Sequence, residues 1–201
     1  MKKTMICLVA LFAMVFAFVG CSKCSHDEKP SVPTDTTKVE KMIVEDKAHM
    51  NSIDTAYQYF ETYYRFVGTF DTLQSPEIDS VSSVFQTFDE AALKSTVYIS
   101  EHKDSTKWTV VENAWWSEDH NLKDYDYKLT VEEAFYVMQK ADVIKPKARA
   151  CVLRAQLGPK LCNPQYIFGN DKFGMVFVDA VTAKVTTINP AFGNAKVFTK
   201  D

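Results

Sequence analysis

The strongest constraint on the fold begins at Thr130. Thr130-Val-Glu-Glu133 is a capping box, in which a threonine hydroxyl and a glutamate three residues on satisfy each other's open backbone donors. An apolar stripe follows at helical spacing: Val131, Ala134, Phe135, Met138 and Ala141. Lys145-Pro146 stops that helix, because a residue before proline is pushed out of the helical region. From Ala148 the punctuation changes. Gly158-Pro159, Gly169-Asn170-Asp171 and Asp179 to Ala183 read as turns separating strands at 148–157, 165–168, 173–178 and 184–188. A possible last strand sits at 196–198. A capped helix followed by closely spaced strands predicts a helix packed on an antiparallel sheet.

The first half reads less regularly. Ile53, Ala56, Tyr57, Phe60, Tyr64 and Val67 recur on one face at helical period, ending at Gly68. Thr37-Lys-Val-Glu40 is a second capping-box pattern, and whether 38–67 holds one helix or two stays open. Residues 69–93 read as an insertion, with a short helix suggested by Val81, Val84, Phe85 and Phe88. Leu93 to Ser100 reads as a strand, Lys103-Asp104-Ser105 as a turn and Lys107 to Glu112 as the returning strand. Ala114-Trp-Trp-Ser117 is a candidate to pair next, and 119–126 is polar loop. Both halves then share an order of helix, strand, turn and strand. The expected fold class is α+β: tandem units of helix plus antiparallel β-sheet, over 38–127 (with the insertion 69–93) and 128–201, their helices on one face.

The N-terminus carries an address. Two lysines precede an apolar run from Met5 to Gly20, shorter than the roughly 20 residues a membrane-spanning helix needs. It reads as a signal peptide over 1–20. Phe18-Val19-Gly20-Cys21 resembles the lipobox of bacterial lipoproteins, with Phe18 where leucine is usual. That resemblance implies acylation of Cys21 and anchoring to a bilayer surface through lipid chains. Ser22, rather than aspartate, follows it, which implies sorting to the outer membrane of a Gram-negative envelope, periplasmic or surface-facing. Residues 21–37 are polar, hold Pro30 and Pro33 and lack aromatics, so they form a tether.

Charge narrows the partners. The formal net charge is −3, and losing Lys2 and Lys3 with the leader takes it to −5. That argues against nucleic acid, which needs basic patches. Cys151 and Cys162 flank Gly158-Pro159. The oxidising compartment permits a disulfide between them, and the alternative is two small apolar core residues. Cys24 sits in the tether.

Thr130-Val-Glu-Glu-Ala, Gln165-Tyr-Ile-Phe and Val176-Phe-Val-Asp-Ala-Val-Thr-Ala-Lys-Val185 together resemble the PepSY family over about 128–188. The resemblance implies a helix on an antiparallel sheet, and tandem copies look like the architecture of a secreted beta-lactamase-inhibitor protein. It implies a role in binding or restraining peptidases and brings no catalytic residues. Ala183 stands where the family usually has glycine, a position that commonly takes positive φ.

Chemistry motifs are absent from the sequence. There is no Gly-rich phosphate loop, no G-x-S-x-G and no H-E-x-x-H. His26, His49, His102 and His120 are scattered and read as surface residues; no metal or cofactor is expected. Glu118, Asp119, Asp124 and Asp126 share a loop, but their spacing fits no EF-hand. The candidate binding residues are Trp115, Trp116, Tyr125 and Tyr127, because rigid aromatic rings bury area at low entropic cost. The expectation is a non-enzymatic envelope lipoprotein that binds a protein or peptide. The alternative is a surface receptor for a small ligand or glycan, using the same Trp/Tyr face.

Overall fold

The computed structural model describes residues 36–53, 56–116, 120–155 and 160–192. Cys21, the leader and most of the tether lie outside them, as do Gly158-Pro159 and the strand expected at 196–198.

Helix α1 (Thr36–Ser52) is followed by strands β1 (Tyr57–Phe66), β2 (Ile78–Asp89), β3 (Lys94–His102) and β4 (Thr106–Glu112). A short 3-10 turn at Leu122–Asp124 leads to α2 (Val131–Lys140), then β5 (Ala150–Arg154), β6 (Gln165–Asn170), β7 (Gly174–Asp179) and β8 (Val185–Thr186). The eight strands of the described residues form one sheet in the order β4-β3-β2-β1-β5-β6-β7-β8. Every pairing is antiparallel.

The expectation of tandem helix-plus-sheet units is overturned by this continuous sheet, which is accompanied by only two short α-helices among the described residues. Two misread segments account for the error. The stretch expected to be helical up to residue 67 is strand β1, and the expected insertion contains strand β2. Tyr57-Gln-Tyr-Phe-Glu-Thr-Tyr-Tyr-Arg-Phe66 is so dense in aromatics that its apolar positions satisfy both a period of 3.6 and a period of 2. β-Propensity decides between them, since Tyr, Phe and Thr fit a pleated sheet better than a helix. A register shift between Tyr59 and Glu61 then lets Tyr57, Tyr59, Tyr64 and Phe66 all reach the core. Ala114 to Trp116 form no strand, although Ala114 N–H donates to Ser95 O at 3.1 Å.

Both helices lie over one face of the sheet. Val39 and Met50 of α1, and Val131, Phe135 and Met138 of α2, join Tyr59, Tyr64, Phe66, Tyr166 and Phe168 in one cluster. The capping box forms as read, with Thr130 Oγ1 accepting from Glu133 N–H and Glu133 reaching back to Thr130 N–H. A buried polar network fastens α1 to β3. Asp46 accepts from Ser100 Oγ at 2.5 Å and from His102 Nε2 at 2.7 Å. Asp46 is 1% exposed and His102 4%, so His102 is a core residue and not the surface one expected. No helix among the described residues is long and apolar enough to cross a membrane.

Candidate functional site

In an antiparallel sheet, residues directly opposite each other share a face. Glu61 lies opposite both Val84 and Arg154, and Gln86 lies opposite Val97. None of these joins the cluster beneath the helices, so they occupy the other face. Trp116 packs onto it. Its backbone N–H donates to Gln86 Oε1 at 3.0 Å and its indole N–H to Glu61 Oε1 at 2.7 Å. Tyr63 OH donates to the same Glu61 oxygen at 2.8 Å. The neighbouring Trp115 lies over Phe88, ring centroids 5.6 Å apart.

The result is an aromatic platform on the helix-free face. Trp115 is 68% exposed, Trp116 38%, Tyr63 40% and Phe88 39%. An indole that is more than a third in solvent and fixed by its N–H presents a ring at little further ordering cost. Beneath it Glu61 is 2% exposed, and its Oε2 accepts no hydrogen bond. Nη1 of Arg154 stands 3.7 Å from that oxygen, within ion-pair range but too far for a hydrogen bond. Sequence reasoning missed Glu61. The available signal was a carboxylate at mid-strand in an aromatic run, a residue type that strands disfavour.

Tyr125 and Tyr127 go elsewhere. Both pack, half-buried, against the core under the helices. Tyr127 lines a groove of about 280 Å³ between α1 and the start of α2, floored by Tyr64, Leu153 and Tyr166. Burial pushes the Tyr127 hydroxyl up to about 12, and pushes Tyr64 and Tyr166 well above the ordinary tyrosine range. Lys47 also lines the groove; burial, with Lys123 nearby, lowers its ammonium pKa. Its Nζ stands 4.9 Å from the Tyr59 ring centre. The two tryptophans and two tyrosines therefore lie on opposite sides of the sheet, and no single Trp/Tyr cleft forms.

Cys151 and Cys162 are thiols, not a bridge. Register explains this: Cys151 lies opposite Phe168, while Cys162 precedes the first residue of β6, Gln165. Six residues of offset amount to roughly 20 Å if extended, far beyond a disulfide's reach. Burial raises the Cys151 thiol well above its usual value, which suits a core residue.

Asp46, Ser100 and His102 superficially suggest a nucleophile relay. The order is wrong for one, because Asp46 sits in the middle and accepts a hydrogen bond from each of the other two. Among the described residues, no three His, Cys, Asp or Glu side chains gather to hold a metal. Of the acidic loop, Glu118 and Asp119 lie outside the described residues.

Compared with protein-family models, curated proteins and solved structures, the chain matches none.

Proposed function

We propose that this is a non-enzymatic binding protein of the cell envelope, held to a membrane by lipid at Cys21, which receives a protein or peptide on its helix-free sheet face. The observation that carries the reading is the platform: Trp115 68% exposed on Phe88, beside Trp116 pinned by Glu61. Exposed Trp and Tyr on a rigid sheet are the residue types that dominate protein interfaces. The lipid anchor and outer-membrane address rest on the leader sequence. The PepSY-like pattern over 128–188 makes an envelope peptidase the first partner to look for.

The test is a photo-crosslinking residue at position 115 in the full lipidated chain, in its own cells. A discrete protein adduct at 115, missing when the probe replaces Lys41 on exposed α1, is the expected result. Equal or absent adducts at both positions overturn the reading.

A second reading has its own observation. The groove beside Tyr127 is close to the lower size of small-ligand sites and has mostly apolar walls with a half-buried Lys47. In that case a small ligand binds on the helix side, and Trp115→Ala leaves its binding unchanged.

A further inference from the structure

Glu61 carries more than its partners explain. A buried carboxylate ordinarily has every oxygen hydrogen-bonded, because an unsatisfied one costs its full desolvation penalty. Here Oε1 takes two donors while Oε2 takes none. The unsatisfied oxygen lies beneath the aromatic platform and not in the helix-side core. Its cationic neighbour Arg154 keeps a 3.7 Å contact and leaves about a quarter of its side chain in solvent. Aromatic faces such as Trp116 and Tyr63 attract cations, most strongly where water is excluded. The strand ends around the platform carry exposed Asp89, Glu90 and Glu112 against Lys94.

We propose that the Trp115–Trp116 platform takes a basic segment of its partner protein, one Arg or Lys of which lies beside the Trp116 and Tyr63 rings and hydrogen-bonds Glu61 Oε2 in place of Arg154. This rests on the reading of the helix-free face as the binding surface. It adds the partner's charge and the residue that reads it. Arg suits the site better than Lys, since its flat guanidinium stacks on an indole while donating to a carboxylate.

The experiment immobilises the full chain and measures capture of decapeptide libraries with random flanks and a fixed central Arg, Lys, citrulline or Glu. Arg peptides are expected to be retained about tenfold over citrulline, the scale of one charge-assisted hydrogen bond with a cation–π contact. Glu61→Gln should bring that ratio to about one, and Arg154→Gln, which removes the competing cation, should raise Arg-peptide capture. Equal capture of Arg and citrulline peptides, or a ratio unchanged in Glu61→Gln, overturns the charge inference. The platform reading survives that outcome provided Trp115→Ala still abolishes capture. Peptide capture indifferent to Trp115→Ala overturns both. Should Glu61→Gln fail to fold by circular dichroism, the Arg-to-citrulline ratio on the wild-type chain decides alone.

Discussion

Replacing Asp46 with alanine should be among the most damaging single changes to this fold. Asp46 is the only carboxylate of α1 that is buried, and it accepts from two donors on β3. Ser100 is 0% and His102 4% exposed, so neither donor can turn to water when the acceptor is removed. Hydrogen bonds to a charged acceptor contribute about 1.5–3 kcal/mol each, and a buried donor left without its acceptor costs about 1–3 kcal/mol. Two such donors put the loss at about 3–5 kcal/mol, against a total of roughly 5–15 kcal/mol for a domain. Such a loss lowers the melting temperature by roughly 10 °C or more. The same helix supplies a control. Lys41 and Glu45 form an i,i+4 pair at 4.0 Å with side chains 76% and 57% exposed, and removing it should cost no more than about 0.5 kcal/mol. Urea denaturation of the parent, Asp46→Ala and Lys41→Ala measures both. A further variant, Ser100→Ala with Asp46→Ala, should cost less than the two singles added, since both remove one interaction. If Asp46→Ala unfolds within about 1 kcal/mol of the parent, or the two changes add without coupling, the network does not hold α1 on the sheet.

The remaining expectations concern backbone and titration. Gly169 has φ +103°, and a Cβ there would stand 2.1 Å from Gly174 O and 2.9 Å from Pro146 Cβ. Gly169→Ala should therefore cost at least about 2 kcal/mol, visible as a lower melting temperature, and an unchanged melt would mean the β6–β7 hairpin relaxes freely. Ala183 takes φ +58°, a left-handed conformation that favours glycine, so Ala183→Gly should stabilise by about 0.5–1 kcal/mol. A destabilised Ala183→Gly would show that unfolded-chain entropy outweighs the strain. At high pH the buried tyrosines work against the fold. Tyr59, Tyr64 and Tyr166 are pushed well up and Tyr127 up to about 12, whereas unfolded tyrosine ionises near 10. The unfolded state then sheds protons that the folded state keeps, so stability is intact below pH 10 and falls as pH rises toward and past 12. Melting temperatures across pH 8–12 test the sign, and flat stability through pH 11.5 contradicts it.

What was legible in the sequence divides along a physical line. The α2 capping box and the turn from Lys103 to Ser105 depend on residues within a few positions of one another, and local chemistry sufficed to place them. Strand β1 was illegible for the opposite reason. Its ten residues contain six aromatics, and where nearly every position is apolar the helical and strand periods coincide. Pairing partners break that tie: β1 is central, with β2 on one side and β5, almost ninety residues downstream, on the other. No local pattern reports such a neighbour. The same holds for β2, whose serine-rich Ile78-Asp-Ser-Val-Ser-Ser gives a weak apolar signal because its two faces meet different surroundings.

The site shows the same limit more sharply. Trp115 and Trp116 were legible as candidates from residue type, and both are exposed. Their grouping with Tyr125 and Tyr127 rested on closeness in sequence, whereas the two tyrosines pack on the helix side of the sheet. Between them and the tryptophans in sequence, the Asn121 side chain accepts from Tyr59 N–H at 3.0 Å near the start of β1. What gives Trp116 its orientation is a carboxylate 55 residues earlier, the one acidic position in β1. Burying that charge beneath an indole is worthwhile only if the ring it fixes, or the oxygen it leaves open, has a use. Isosteric Glu61→Gln keeps an acceptor for Trp116 and turns the open, charged oxygen into a neutral N–H donor. If Glu61 serves the platform alone, the variant binds every partner as before. If it also reads a cation, basic partners alone are lost, and the two roles of one side chain separate in a single comparison.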